Sequence, residues 1–255
     1  MPKKRLLLVR HGKTEWNGLS RFQGKSDVPL NDEGKCQAEL LAARLEAWQP
    51  DALFSSPLSR ARETAETLAF RNPGISPVLL EELSEIGFGS WEGRSIHEIE
   101  SADPESFRRW KDSPFDYPPP GGESFASVES RVRSALGEIL SKSGERIVVV
   151  SHGGILRAML ALLLDLPLRP VWKMKIANCS VTGIDVGRKG TSLAFLNDDL
   201  HARMSGAEPE NLRWGADAEA PATSTAAAHG RDPWAGWRAP SAYGVAESDP
   251  RIKSG

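Results

Sequence analysis

LLLVRHGKTEWN, residues Leu6–Asn17, places four apolar side chains in succession and then stops at Arg10, His11 and Gly12. Such a run suits a strand buried on both faces, and strands of that kind belong to parallel or mixed sheets covered by helices. Ligands collect at the carboxyl ends of these strands. An arginine and a histidine at that edge, followed by a glycine with no side chain to block approach, make a seat for an anionic group. One Arg-His-Gly triplet is weak evidence for a site. A second run strengthens it: Arg146–Val150, RIVVV, halts at Ser151, His152, Gly153 and Gly154 before a helix-like segment. Strands of one sheet lie about 5 Å apart, so the two ends converge on one small ligand if the strands are adjacent.

With both ends in view, the chain resembles the histidine phosphatase superfamily, which includes the cofactor-dependent phosphoglycerate mutases and the alpha-ribazole phosphatase type enzymes. The resemblance rests on RHGKTEWN, on RFQGKSDVPLNDEGKCQA (21–38), SSPLSRARETA (55–65) and LSEIGFGSWEG (83–93), and on PPPGGES (118–124) and VVVSHGG (148–154), all in the family's order. It covers about residues 3–203. It implies a phosphoglycerate mutase-like fold, with His11 as a nucleophile that becomes a phosphohistidine. It also implies a phosphate pocket lined by Arg10, Asn17, Arg60 and His152, with Gln23, Gly24 and Gly153 counted in the same phosphate-binding set.

The residues support that chemistry in their own right. A phosphomonoester dianion needs cationic donors, a nucleophile and an acid for the leaving oxygen. Arg10 and Arg60 present planar forks that match phosphate oxygens, and His152 adds a donor if protonated. Nearby arginines favour a neutral His11, which keeps the attacking lone pair available. Among the acids, Glu81, Glu82, Glu85 and Glu92 are equal candidates on residue grounds. The resemblance selects Glu85 as the catalytic acid and leaves Glu92 to stabilise the loop. Arg62, Arg94 and Arg131 read as surface ion pairs. His97, His201 and His229 read as solvated or structural, and neither metal nor cofactor is expected. Lys13 departs from the family, whose members commonly carry an acidic or amide residue there, and so alters the charge at the pocket rim.

The length of 255 residues and a hydrophobic content of 40% allow a substantial core. Alternating helix and strand signals predict an α/β protein, a three-layer α/β/α sandwich around a mostly parallel mixed sheet. Helices are expected over 33–48, with Asn31 or Asp32 as cap, over 58–70, over 95–110 with a break at Pro104, and from Ser124 with a stripe of Phe125, Val128, Val132, Ala135 and Ile139. The apolar segment 155–164 predicts a buried helix, and 180–186 with 192–196 a final pair of strands joined through Gly187–Gly190. Residues 1–204 form the expected catalytic domain. Residues 205–255 hold only Leu212, Val245 and Ile252 from the Leu/Ile/Val/Phe set, too few for a core, so a low-complexity, disordered tail is expected there.

The formal charge of −2 gives no global basic field, which argues against nucleic acid as the main partner. The two cysteines, Cys36 and Cys179, stand in no metal-ligand spacing and suit a reduced, cytoplasmic compartment as small buried residues. The apolar part of the amino terminus is too short for a targeting core, and no other run reaches the ~18 residues of a spanning helix. The partner expected is therefore a small phosphomonoester, and the reading is a phosphatase. Alternatives are a phosphoglycerate mutase, disfavoured by the short connection 110–124, and a binding or regulatory protein that kept the fold without turnover.

Overall fold

The computed structural model describes residues 3–203; the segment 205–255 lies outside the described residues. Six strands form one sheet: β1 (Lys4–Arg10), β2 (Ala52–Ser55), β3 (Pro77–Leu79), β4 (Arg146–Ser151), β5 (Val181–Gly187) and β6 (Gly190–Asp198). Their order is β3-β2-β4-β1-β5-β6. The first four of that order run parallel, while β5 is antiparallel to β1 and β6 to β5. The helices are α1 (Glu15–Gly18), α2 (Asp32–Glu46), α3 (Ser59–Arg71), α4 (Ile96–Ala102), α5 (Pro104–Asp112), α6 (Phe125–Ser141), α7 (Gly153–Leu164), α8 (Leu168–Trp172) and α9 (Leu200–Arg203).

The two-residue period of a strand explains why the apolar runs are continuous. Leu6 and Leu8 of β1, with Ile147 and Val149 of β4, enter a core shared with α6 and α7. Leu7, Val9, Val148 and Val150 enter a second core with α2 and α3 on the opposite face. Each buried side chain of this size contributes about 2 kcal/mol, so neither face tolerates a polar residue and the binary pattern of a half-exposed strand never appears. The sandwich is the one the periodicity predicts.

Caps place the helices as the sequence suggests. Asn31 accepts a hydrogen bond from the Gly34 amide at 2.8 Å to begin α2, and Ser124 accepts one from Ser127 at 3.3 Å to begin α6. The α6 stripe of Val128, Val132, Ala135 and Ile139 is buried. The short α1, α8 and α9 escape the sequence reading, because four or five residues show too little periodicity. Cys179 is buried as expected, whereas Cys36 is exposed on α2: it follows Lys35 on the solvent side of that helix, where a small side chain needs no burial. Among the described residues no helix is long and apolar enough to cross a membrane.

Candidate active site

The parallel pairing of β1 with β4 sets Arg10 opposite Ser151, and the His11 amide donates to the Ser151 carbonyl at 3.0 Å. The strands are adjacent, so the residues that follow each stop meet: the rings of His11 and His152 lie 5.1 Å apart, tilted by 56°. Both are buried. The His11 Nδ1 sits 2.7 Å from the Gly12 carbonyl. A carbonyl only accepts, so Nδ1 carries the proton and Nε2 keeps its lone pair. Burial first, then the charges of Arg60 and Arg10, push the His11 pKa well below the ordinary histidine range. At neutral pH the ring is uncharged. His152 is held neutral too, by burial and then by Arg60, His11 and Arg10. It is therefore no imidazolium; its Nε2 lies 2.8 Å from Ser56 Oγ, and its buried Nδ1 has no hydrogen-bond partner among the described residues.

Arg10 donates through Nη1 to the Ile176 carbonyl at 2.7 Å. Arg60, in the first turn of α3 and 1% exposed, donates through Nη1 to the Ser26 carbonyl and through Nη2 to the Gly24 carbonyl, each at 2.8 Å. The Nε of each arginine is buried without a partner. Burial brings Arg10 down to about 10, against the opposing pull of Glu85, which leaves it charged at neutral pH. Among the described residues neither guanidinium bonds a carboxylate; neutral carbonyls hold both. The carboxylate of Glu85 acts on both only through space, and guanidinium groups held by carbonyls in this way suit an anion such as phosphate.

Glu85 accepts from the Ile86 amide at 2.9 Å and from the Gly154 amide, in the first turn of α7, at 3.2 Å. Its charge acts on Arg10, Arg60 and Arg157 alike, which places it at the same cavity. Glu92 ties the loops instead, accepting from the Lys25, Ser26 and Phe88 amides. Arg131 overturns the expectation of a surface ion pair. It forms a two-pronged pair with the largely buried Glu123 and donates to the carbonyls of Glu82, Ser84 and Glu85. The segment carrying the acid is a single 3-10 turn, Glu81–Leu83, followed by loop, too short to satisfy those carbonyls itself, so a guanidinium does so.

The remaining expected residues take subtler places. The Asn17 side-chain oxygen accepts from the Thr14 amide and hydroxyl and from Asn178, which closes the turn after His11. Gly24 anchors Arg60 through its carbonyl, and Gln23 is buried with an unpartnered Oε1. Gly153 begins α7 and accepts from Arg157 Nη1; its neighbour Gly154 is the one whose amide reaches Glu85. Lys13 turns toward α2, where Glu33 pairs with it at 2.5 Å, so its charge at the rim is compensated. Ser56, Asn178 and Arg157 are additional. Ser56 stands inside SSPLSRARETA, a readable signal, whereas Asn178 donates to the His11 and Gly12 carbonyls only because β5 pairs beside β1.

Residues 6–199 match the family model of the histidine phosphatase superfamily, branch 1. The chain belongs to this superfamily. It is similar to phosphoserine phosphatase 1 of Hydrogenobacter thermophilus, 36% identical over 198 residues that cover 77% of this chain and 93% of the relative. It is also similar to the adenosylcobalamin/alpha-ribazole phosphatase of Salmonella typhimurium, 32% identical over 194 residues, 76% of this chain and 96% of that one. Among solved structures, Bacillus stearothermophilus YhfR superposes with a TM-score of 0.73 at 36% identity, covering 78% of this chain and 99% of the other. The fold and the phosphatase-type resemblance expected from the motifs both hold: this superfamily member is a histidine phosphatase-type phosphomonoester hydrolase.

Proposed function

We propose that the chain hydrolyses a small phosphorylated metabolite in two steps at His11. The observation that carries the reading is the pair of arginines, half-buried Arg10 and buried Arg60, held by carbonyls around a neutral His11 whose Nδ1 is fixed by Gly12. In the first step His11 Nε2 forms a bond to phosphorus as the ester P–O bond breaks, and Glu85 in its acid form gives its proton to the departing alkoxide. In the second step the Glu85 carboxylate takes a proton from water, whose oxygen attacks phosphorus and releases His11. Arg10, Arg60 and His152 hold the phosphoryl oxygens through both steps, Asn17 and Gln23 adding side-chain contacts.

Phosphoserine is our first candidate substrate. The likeness to a phosphoserine phosphatase over nearly that protein's whole length supports it. So does Arg157, a third guanidinium that senses the charge of Glu85, since a leaving group with its own carboxylate would gain from it.

The test is phosphate release, without added metal, from phosphoserine, phosphoethanolamine, alpha-ribazole 5'-phosphate and 3-phosphoglycerate, the last with and without 2,3-bisphosphoglycerate. Release that disappears in His11→Ala, with folding unchanged, is expected, and phosphoserine should exceed phosphoethanolamine, which lacks the carboxylate. Isomerisation of phosphoglycerate without release would make the chain a mutase. Silence across the panel would indicate a binding protein.

A further inference from the structure

His152 has two ring nitrogens in sharply different surroundings. Nε2 lies 2.8 Å from Ser56 Oγ, while Nδ1 is buried with no hydrogen-bond partner among the described residues. Both residues are fully buried, so water does not decide the proton's place. A neutral imidazole has one N–H and one lone pair, and which nitrogen holds which depends on Ser56.

Ser56 opens the turn between β2 and α3. Its Oγ receives the Leu58 amide at 3.3 Å, and its amide donates to the Val150 carbonyl on β4. With one lone pair engaged by Leu58, the hydroxyl has a proton to place, and among the described residues His152 Nε2 is the acceptor within reach. In the opposite arrangement Nε2–H and the Leu58 amide would both donate to Oγ, the hydroxyl proton would have no acceptor, and the Nδ1 lone pair would confront a phosphate oxygen. Buried donors are rarely left unmatched.

We infer that Ser56 is a positioning residue that fixes His152 as the Nδ1–H tautomer, so that the uncharged ring donates to the phosphoryl group. This rests on the proposed phosphatase reading. It runs a relay from the Leu58 amide through the Ser56 hydroxyl to Nε2, with Nδ1–H delivered to the ligand. Leu58 immediately precedes the helix that carries Arg60, so one turn aims both a guanidinium and an imidazole at the same anion.

The test is nitrogen-15 NMR of protein labelled at histidine, with the His152 signals assigned by their loss in His152→Asn. The wild type should show a pyrrole-like Nδ1 and a pyridine-like Nε2, and inorganic phosphate should shift the Nδ1–H resonance. Ser56→Ala should mix or invert the tautomers and lower kcat about tenfold or more with a smaller change in KM. Ser56→Thr, which keeps the hydroxyl, should restore both, and thermal melts identify any variant that fails to fold. An Nε2–H ring in the wild type would overturn the inference. So would a wild-type tautomer or full kcat in folded Ser56→Ala. Failure of the phosphatase reading would appear separately, as no phosphate release from the wild type, and leaves the tautomer measurement intact.

Discussion

Arg10 and Arg60 bring charge beside His11 with no carboxylate among the described residues bonding either of them, and that decision is made one residue at a time. Each guanidinium is aimed by carbonyls of Ile176, Ser26 and Gly24, so its remaining donors are organised before ligand arrives and cost no reorganisation during the reaction. Glu85 is the residue whose removal distinguishes acid catalysis from binding. Glu85→Gln is expected to slow phosphoserine hydrolysis by about 10²–10⁴-fold while sparing p-nitrophenyl phosphate, whose leaving group needs no proton; equal loss on both substrates, in steady-state kinetics, would count against the acid role. His11, His152 and Arg60 were legible because each follows a strand end or opens a helix. Asn178 was not, since nothing in its own neighbourhood of sequence ties it to His11.

At the scale of elements, the approach of the acid segment to α7 depends on a missing side chain. A Cβ on Gly154 would stand 2.6 Å from Glu85 Oε1 and 2.8 Å from Ile86 Cδ1. Gly154→Ala should therefore displace the acid, reducing kcat on poor leaving groups more than it reduces thermal stability; activity at the wild-type level would show that the segment yields without consequence. Arg131 holds the other side of that segment to α6. Arg131→Ala leaves Glu123 with only the exposed Lys25 as a cationic partner at 3.5 Å and three carbonyls without their donor, and should cost about 3 kcal/mol in urea denaturation. A loss within 0.5 kcal/mol, the scale of an exposed pair, would return Arg131 to the surface class (~0.5 kcal/mol). Spacing revealed the helices and strands but not this clamp, because a guanidinium's target in an irregular loop leaves no period in the sequence.

The whole molecule should record the buried histidines in its response to pH. His11, His152 and His201 all titrate below the ordinary value of 6.5 in the fold, burial being the leading cause for each. Above pH 6.5 folded and unfolded chains alike hold them neutral, so they contribute no slope. Below it the unfolded chain binds protons that the folded chain refuses, and stability falls as pH falls, by about 1.4 kcal/mol per pH unit for each histidine. The carboxylates Asp51, Asp185 and Asp198, held low by arginines, act only in a more acid range, below their usual 3.8. Melting temperatures between pH 7 and pH 5 should decline. A flat profile would mean that the histidines are solvated.

By itself the sequence determined the layers, the motifs and most of the chemistry: continuous apolar runs require a sheet covered on both faces, and residues at strand stops fall at one edge. Only the tertiary structure decided that β1 and β4 are neighbours, that carbonyls rather than carboxylates hold the two arginines, that Arg131 supports the acid, and that Ser56 faces His152. Those are contacts between segments 34 to 167 residues apart, as Arg60 to Ser26 (34), Ser56 to His152 (96) and Asn178 to His11 (167) show. Local pattern sets which face a residue takes, but packing of the whole chain sets what it meets there.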